Sequence, residues 1–353
     1  MTVSEQATGI GRRFPPVVYA CDFSIWKRPI VRRFFNGSHV VFVHGASRVP
    51  VDGTLVVWGR KPFSGKLAQG VQLVRLEDGF LRSVGLGADL INPMSWVIDA
   101  SGIYYDATQP SGLEILLRET EFTPVLLARA AALRERVVSA GLTKYNVGSG
   151  GWQRPLGAAR VVLVPGQVES DASLRFGAPG VCTNLGLLQK VREANQDAYI
   201  VYKPHPDVVA GLRRQGKGED AAARWCDEVV VDVDMGTMLQ QVDEVHTLTS
   251  LAGFEALLRG KAVTCYGQPF YAGWGLTKDI EPVLRRSRRL SLDMLVAGAL
   301  ILYPVYVSRV TGRFIAPEQA LDELLAWRST GTTALSWWRK IYRFVVGEIL
   351  RQP

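Results

Sequence analysis

The sequence lacks the marks of several common protein classes. Its 353 residues include four cysteines, Cys21, Cys182, Cys226 and Cys265, far apart and without a CxxC pair. That spacing suits reduced thiols in a cytoplasmic protein and argues against a disulfide framework or a cysteine zinc site. The opening residues contain no continuous apolar stretch of the kind a secretory signal requires. No apolar run is long enough to span a bilayer; the longest, near 295–307, is broken by Gly298 and Pro304. There is no GxxxxGK(S/T) loop and no GxGxxG turn, so NTP hydrolysis and dinucleotide binding lose support. HExxH and closely spaced acidic clusters are missing too, and neither a metal nor a cofactor is expected. Zinc-finger, RRM and basic-zipper patterns do not occur, which leaves no case for nucleic acid as a partner.

What is present is an ordinary globular balance, 47% hydrophobic and 21% charged, which excludes long disorder. The length points to two domains rather than one core. A formal net charge of +8 suits an anionic membrane surface or anionic small substrates. The basic residues are dispersed, apart from Arg285-Arg286-Ser287-Arg288-Arg289 and the C-terminal tail.

Short β-branched runs alternate with helical patterns, the signature of an α/β chain with parallel sheets. Strands are expected at 17–20, 40–44, 54–58, 72–76 and 97–99, with helices at 112–118 and 123–140. A glycine-rich loop at 145–157, with Gly148, Gly150 and Gly151 close together, interrupts the pattern. Strands then recur at 160–164, 198–202, 244–247 and 262–265, with helices at 185–194, 235–241 and 252–259. This places one Rossmann-like unit at 1–150, a second at 151–318 and a helical segment at 319–353. In doubly wound units ligands sit outside the carboxyl ends of strands, so the loops that follow strands are where chemistry is expected.

Polar clusters follow several of these strands. Glu77-Asp78-Gly79 puts paired carboxylates on a tight turn; taken alone it reads first as a turn with a helix N-cap, but Arg75, Arg82 and Ser83 beside it suit an anionic substrate. Gln167-Val168-Glu169-Ser170-Asp171 follows the strand ending at Val164, and Asp171 reads either as a site carboxylate or as a helix cap. Lys203-Pro204-His205-Pro206 holds two donors on an extended loop between prolines, an arrangement suited to phosphate. Thr249 and Ser250 stand at a helix N-terminus, another phosphate setting, and Glu255, one turn in, is within range of a ribose hydroxyl.

Taken together, Phe23-Ser24-Ile25-Trp26-Lys27-Arg28, Trp58-Gly59-Arg60-Lys61-Pro62, Leu76 through Ser83, Gly102-Ile103-Tyr104-Tyr105-Asp106-Ala107, Gln167 through Asp171, Tyr202 through Pro206, and Pro269 through Gly275 resemble the retaining β-Kdo glycosyltransferases of capsule assembly, the KpsC type. The resemblance runs from Phe23 to about Thr277. It implies a GT-B fold, two facing Rossmann-like domains with a cleft between them, with CMP-Kdo as donor and a Kdo-terminated glycolipid as acceptor. Glu77-Asp78-Gly79 and His205-Pro206 match the acidic-acidic-Gly and His-Pro motifs that face each other across the cleft of CMP-sugar transferases. Gln167 and Asp171 match the family's Gln-x-x-x-Asp string. Such proteins usually carry two modules in tandem, whereas this sequence holds one copy, and the linkage formed stays open.

Retention of configuration calls for a carboxylate nucleophile. Asp171 is the expected nucleophile, with Asp78 or Glu77 as the acceptor's base, Asp78 slightly favoured by the motif. Gln167, Lys203, His205, Pro206, Thr249, Ser250 and Glu255 are expected to bind the donor, and Arg60, Arg75, Arg82, Ser83 and Tyr105 the acceptor or sugar. The tail around Ser336-Trp337-Trp338-Arg339-Lys340 reads either as an interfacial helix at the inner membrane or as a helix returning to the first domain. Competing readings are an inverting transferase or epimerase using another nucleotide sugar, and a glycan-binding export factor without turnover.

Overall fold

A computed structural model describes residues 14–84, 91–144, 146 and 150–330. Gly148 of the glycine-rich loop and the tail from 331 lie outside the described residues. The first half forms strands β1 (Val17–Cys21), β2 (His39–Val43), β3 (Thr54–Trp58), β4 (Gln72–Asp78) and β5 (Ser95–Asp99). Strands β2, β1, β3 and β4 lie side by side and parallel, and β5 runs antiparallel to β4. The crossover from β1 to β2 is the helix Arg28–Phe34, which buries Ile30, Val31 and Phe34. Pro29 stands in its first turn, where a missing N–H breaks no helical bond. Phe34 stacks on Trp96 of β5 with ring centroids 4.5 Å apart, fixing this helix against the sheet.

The second half forms β6 (Val161–Pro165), β7 (Tyr199–Lys203), β8 (Glu228–Val229), β9 (Glu244–Thr247), β10 (Ala262–Cys265) and β11 (Lys278–Asp279). They lie in the order β8-β7-β6-β9-β10-β11 with every pairing parallel. The unbroken apolar run of β6 is buried along its whole length, as a central parallel strand requires. The winding reverses between β6 and β9, and that reversal opens a crevice at their carboxyl ends.

The chain then returns to the first sheet. Strand β12 (Pro304–Val307) pairs antiparallel with β5, and β13 (Phe314–Ile315) extends the edge. The boundary expected at residue 319 therefore falls after the pairing that brings the chain back. The apolar run near 295–307 is the reason: Ala297–Leu302 is a buried helical stretch, and Gly298 lies so close to Leu117 that a Cβ would come within 2.5 Å of it. The following helix Pro317–Ser329 is tied to the helix Pro124–Ser139 by Arg129–Glu318 at 2.7 Å. No helix among the described residues is long and apolar enough to cross a membrane.

The arginine run at 285–289 has a structural use. Arg285 and Arg286 both grip the buried Glu114, at 2.6 and 2.9 Å. Arg288 donates to the carbonyls of Leu117, Arg118 and Thr120 at the end of the helix Gly112–Glu119, where a cation also meets the helix dipole favourably.

Candidate active site

Carboxyl ends of strands from both sheets meet. The backbone N–H of Ala107 donates to the carbonyl of Phe176 at 3.1 Å, the Arg60 guanidinium lies 4.7 Å from the Phe176 ring, and Phe80 stacks on Phe270 at 4.6 Å. Each contact joins a loop of the first unit to the second unit, two of them through Phe176 in the helix Ala172–Gly177.

On the first wall Glu77 and Asp78 end β4. Gly59, at the end of neighbouring β3, has φ +49°, and a Cβ there would collide with the Tyr105 hydroxyl and stand 3.2 Å from Glu77 Oε2. Only glycine allows Glu77 and Tyr105 to approach this closely. Glu77 Oε1 accepts the Asp78 N–H at 3.1 Å. Burial, then the adjacent Asp78 charge, pushes the Glu77 carboxyl up to about 7, against the pull of Lys144 and Lys27. Asp78 behaves oppositely. Burial works to raise it, but the Arg82 charge, Lys144 and the Arg82 hydrogen bond outweigh that and hold it below the usual carboxylate range.

Arg82 is itself buried. It donates to Asp78 Oδ2 at 2.6 Å, to Ser83 Oγ at 2.7 Å and to the carbonyl of Ile91 at 3.2 Å. Arg75 donates to the Gly59 carbonyl at 2.7 Å, and Arg60 pairs with Asp106 at 3.2 Å. The Tyr105 hydroxyl accepts the Arg60 N–H at 2.9 Å. Burial, then Glu77, raises its pKa, and the charge of Asp171 on the other wall adds to the effect. Arg75, Arg82 and Ser83, expected to receive substrate, are thus directed at neighbouring protein groups and shape the first wall.

On the second wall Asp171 caps the helix Ala172–Gly177, accepting the Ser173 N–H through Oδ1 at 2.9 Å, and is exposed. The cap reading of that residue is what the structure shows, and it engages one of the two carboxylate oxygens. His205 caps the short helix Pro206–Val209; its Nδ1 accepts the Asp207 N–H at 3.1 Å. That bond assigns the proton of the neutral ring to Nε2. Burial lowers the His205 pKa, with Lys144 and Arg213 acting the same way and Asp207 and Asp171 opposing. The imidazole is therefore neutral at pH 7 with a donor at Nε2.

Other expected donor ligands are engaged with the protein. Gln167 Nε2 donates to Thr249 Oγ1 at 3.0 Å, and the Thr249 N–H returns to Gln167 Oε1 at 2.9 Å. This closed pair bolts together the loops after β6 and β9, on either side of the winding reversal. Ser250 Oγ caps the helix Leu251–Leu258 by accepting the Ala252 N–H. Lys203 donates to the Val231 carbonyl at 3.2 Å among Asp234 and Asp232, so it does not join His205. Glu255 accepts the Lys144 N–H at 2.7 Å. Burial pushes its carboxyl up to about 7, and it latches the second unit to the connecting segment.

Two cations were not singled out as site residues in the sequence. Lys144, on the segment between the units, acts electrostatically on Glu77, Asp78, His205 and Glu255 together. Lys27 lies 3.2 Å over the Trp58 ring and within the field of Asp78 and Glu77; burial lowers its pKa. Lys27 sits in the Phe23–Arg28 string quoted above. Lys144 stands beside the glycine-rich loop, and only the fold reveals that it faces both walls.

The chain belongs to the capsule polysaccharide biosynthesis proteins, whose family model matches residues 54–145 and 155–315. The two matched stretches contain Glu77, Asp78 and Tyr105, and Gln167, Asp171 and His205. Among curated relatives, the capsule polysaccharide modification protein LipA of Neisseria meningitidis is 46% identical over 318 residues, 87% of this chain and 45% of LipA. The lipopolysaccharide-processing protein LpsZ of Rhizobium meliloti is 39% identical over 88% of this chain and 74% of its own. The chain thus spans under half the length of LipA. Among solved structures, the β-Kdo 2,7 transferase of Thermosulfurimonas dismutans KpsC is 43% identical with a TM-score of 0.74, covering 88% of this chain and 99% of that one. The β-Kdo 2,4 transferase of the same KpsC is 33% identical with a TM-score of 0.77, covering 89% and 99%. The KpsC resemblance read from the sequence is borne out.

Proposed function

We propose that this chain is a retaining β-Kdo transferase with a GT-B arrangement, carrying Kdo from CMP-Kdo to a Kdo-terminated glycolipid during capsule assembly. The observation that carries this reading is the meeting of Glu77 and Asp78 with His205 and Asp171 around Lys144 and Tyr105. Two carboxyl groups of opposed protonation behaviour stand on one wall; a neutral imidazole donor and an exposed carboxylate stand on the other. The likeness to both KpsC modules supports the choice of sugar.

In the first step a carboxylate oxygen of Asp171 bonds to the donor's anomeric carbon as the bond to the CMP phosphate breaks, and CMP leaves with the electron pair. His205 Nε2 donates a hydrogen bond to the leaving phosphate, and Lys144 supplies positive charge nearby; positioned donors stabilise charge where it develops. In the second step an acceptor hydroxyl gives its proton to Glu77 and its oxygen displaces Asp171, which restores the original configuration. The motif alone inclines toward Asp78 as base. The Arg82 ion pair favours Glu77 instead, because a carboxylate held by a guanidinium accepts protons poorly, whereas a group near 7 exchanges them readily.

Incubating the protein with CMP-Kdo and a Kdo-terminated glycoside, then following CMP release and the anomeric configuration of the product by NMR, tests the reading. Acceptor-dependent release of CMP with a β-linked product is expected. An α-linked product, or no release with acceptor present, refutes it.

A further inference from the structure

Between Asp22 and Asp52 the sequence carries no carboxylate, while Lys27, Arg28, Arg32, Arg33 and Arg48 fall in that interval. This segment begins with a single helical turn, Ile25–Lys27, that buries none of its residues. Ile25 is 82% exposed and Trp26 37% exposed, and Pro29 stands exposed one turn further on. The inner face of the next helix is already occupied by Ile30, Val31 and Phe34, and among the described residues Ile25 is left almost wholly uncovered.

The cations beside them rest on an aromatic ring rather than on a carboxylate. Arg129, Arg134, Arg136, Arg154, Arg160 and Arg192 each meet a carboxylate. Arg28 and Arg32 instead lie over the Phe42 ring, at 5.0 and 4.9 Å, and neither forms an ion pair among the described residues. An aromatic ring orients a guanidinium without neutralising it. The result is an exposed apolar tip beside two guanidinium charges that no ion pair among the described residues offsets.

From this we infer that the turn Ile25–Lys27 and the outer face of the helix Arg28–Phe34 dock on an anionic lipid surface. Ile25 and Trp26 enter the headgroup region, where tryptophan is favoured, and Arg28 and Arg32 engage lipid phosphates. The charge decides for lipid over a second protein surface, since an interface of ordinary composition leaves these cations uncompensated. Lys27 connects the docking face to the site: it belongs to the same turn and its ammonium lies over Trp58 beside Glu77 and Asp78. Docking there brings the acid pair toward a lipid-borne hydroxyl, while the binding itself does not depend on which sugar is transferred.

The test is co-sedimentation with phosphatidylcholine vesicles, with and without phosphatidylglycerol, using the full chain and the variants Ile25→Asp and Arg32→Glu. Binding only to the anionic vesicles, weakened by salt, is expected. Arg32→Glu should reduce the partition coefficient on the order of fivefold or more, and Ile25→Asp by a similar factor. Transfer to a water-soluble acceptor should be unchanged in both variants, so loss of lipid binding is read separately from failure of the catalytic proposal. Equal binding by the variants, or binding lost only when residues 331–353 are removed, overturns the inference. So does self-association of the chain that both variants abolish with no vesicle binding by the parent.

Discussion

Glu77→Gln should remove activity and add stability, and both effects follow from one number. The Glu77 carboxyl is displaced from 4.5 to about 7. That is about 2.5 units, and at 1.36 kcal/mol per unit it corresponds to ~3 kcal/mol between the protonated and ionised forms. The folded state thus holds this proton more tightly than the unfolded chain does. Its contribution to stability is fully present below 4.5 and is lost as pH rises through about 7. Glutamine keeps the shape and neutrality of the protonated group at every pH. The variant should therefore unfold at higher urea concentration above pH 7, by up to ~3 kcal/mol, an upper figure because the residue keeps some solvent contact. The advantage should vanish as the pH falls toward 4.5.

Activity moves the other way. A base with a pKa near 7 gives kcat/KM a limb that falls about tenfold per pH unit below that value. Glu77→Gln should lower kcat at least about 100-fold, the usual range for loss of a general base. Two measurements decide: initial rates of CMP release from pH 5 to 9, and urea titrations at the same pH values. An acidic limb centred near 4.5, transfer surviving in Glu77→Gln, or a variant less stable at high pH would each refute the reasoning.

Asp171→Asn should abolish transfer and any covalent sugar adduct seen by intact mass, with a small change in Tm, because asparagine caps a helix about as well as aspartate. Undiminished activity removes Asp171 as nucleophile. Gln167→Ala should cost about 2 kcal/mol by urea denaturation, one increment for each of its two bonds to Thr249; a purely catalytic role would leave stability unchanged. Arg286→Met should cost about 3 kcal/mol or more, since Arg286 is buried against Glu114 and also donates to the carbonyls of Pro269 and Ala272. A melting curve like the parent's would show that Arg285 alone satisfies Glu114.

Most of the longer strands and helices were legible in the sequence because each is local, whereas the helix Arg28–Phe34 and the two-residue strands β8 and β11 were not expected. An apolar run such as Val161-Val162-Leu163-Val164 needs no distant partner to be read as a buried strand, and β3 and β9 begin and end at the expected residues. The return of β12 and β13 to the first sheet was not legible. The pairing of β12 with β5 joins residues about two hundred positions apart, and Tyr303 reaching Asp99 has no local signature. The same division runs through the site. Glu77, His205 and Asp171 could be picked out as candidates because each stands at or just after the end of a strand, whatever it faces.

The roles of Gln167, Lys203 and Glu255 depended on what stands opposite each. Gln167 meets Thr249, Lys203 meets the Val231 carbonyl and Glu255 meets the Lys144 backbone. All three spend their polar groups on holding loops in place. This division bears on the chemistry. The crevice after β6 and β9 is fastened by neutral amide and hydroxyl groups, which would have no charge to compete for the phosphate of the proposed donor. The connecting segment is latched by a carboxyl near 7, whose ionisation below the Lys144 backbone adds negative charge close to that lysine. Lys144 is thus a cation that acts on Glu77, Glu255 and His205 alike. Replacing it with methionine should raise the acidic limb of the rate profile above 7, because its charge is among the influences that lower Glu77. A limb that stays in place when Lys144 is removed would separate the latch from the chemistry.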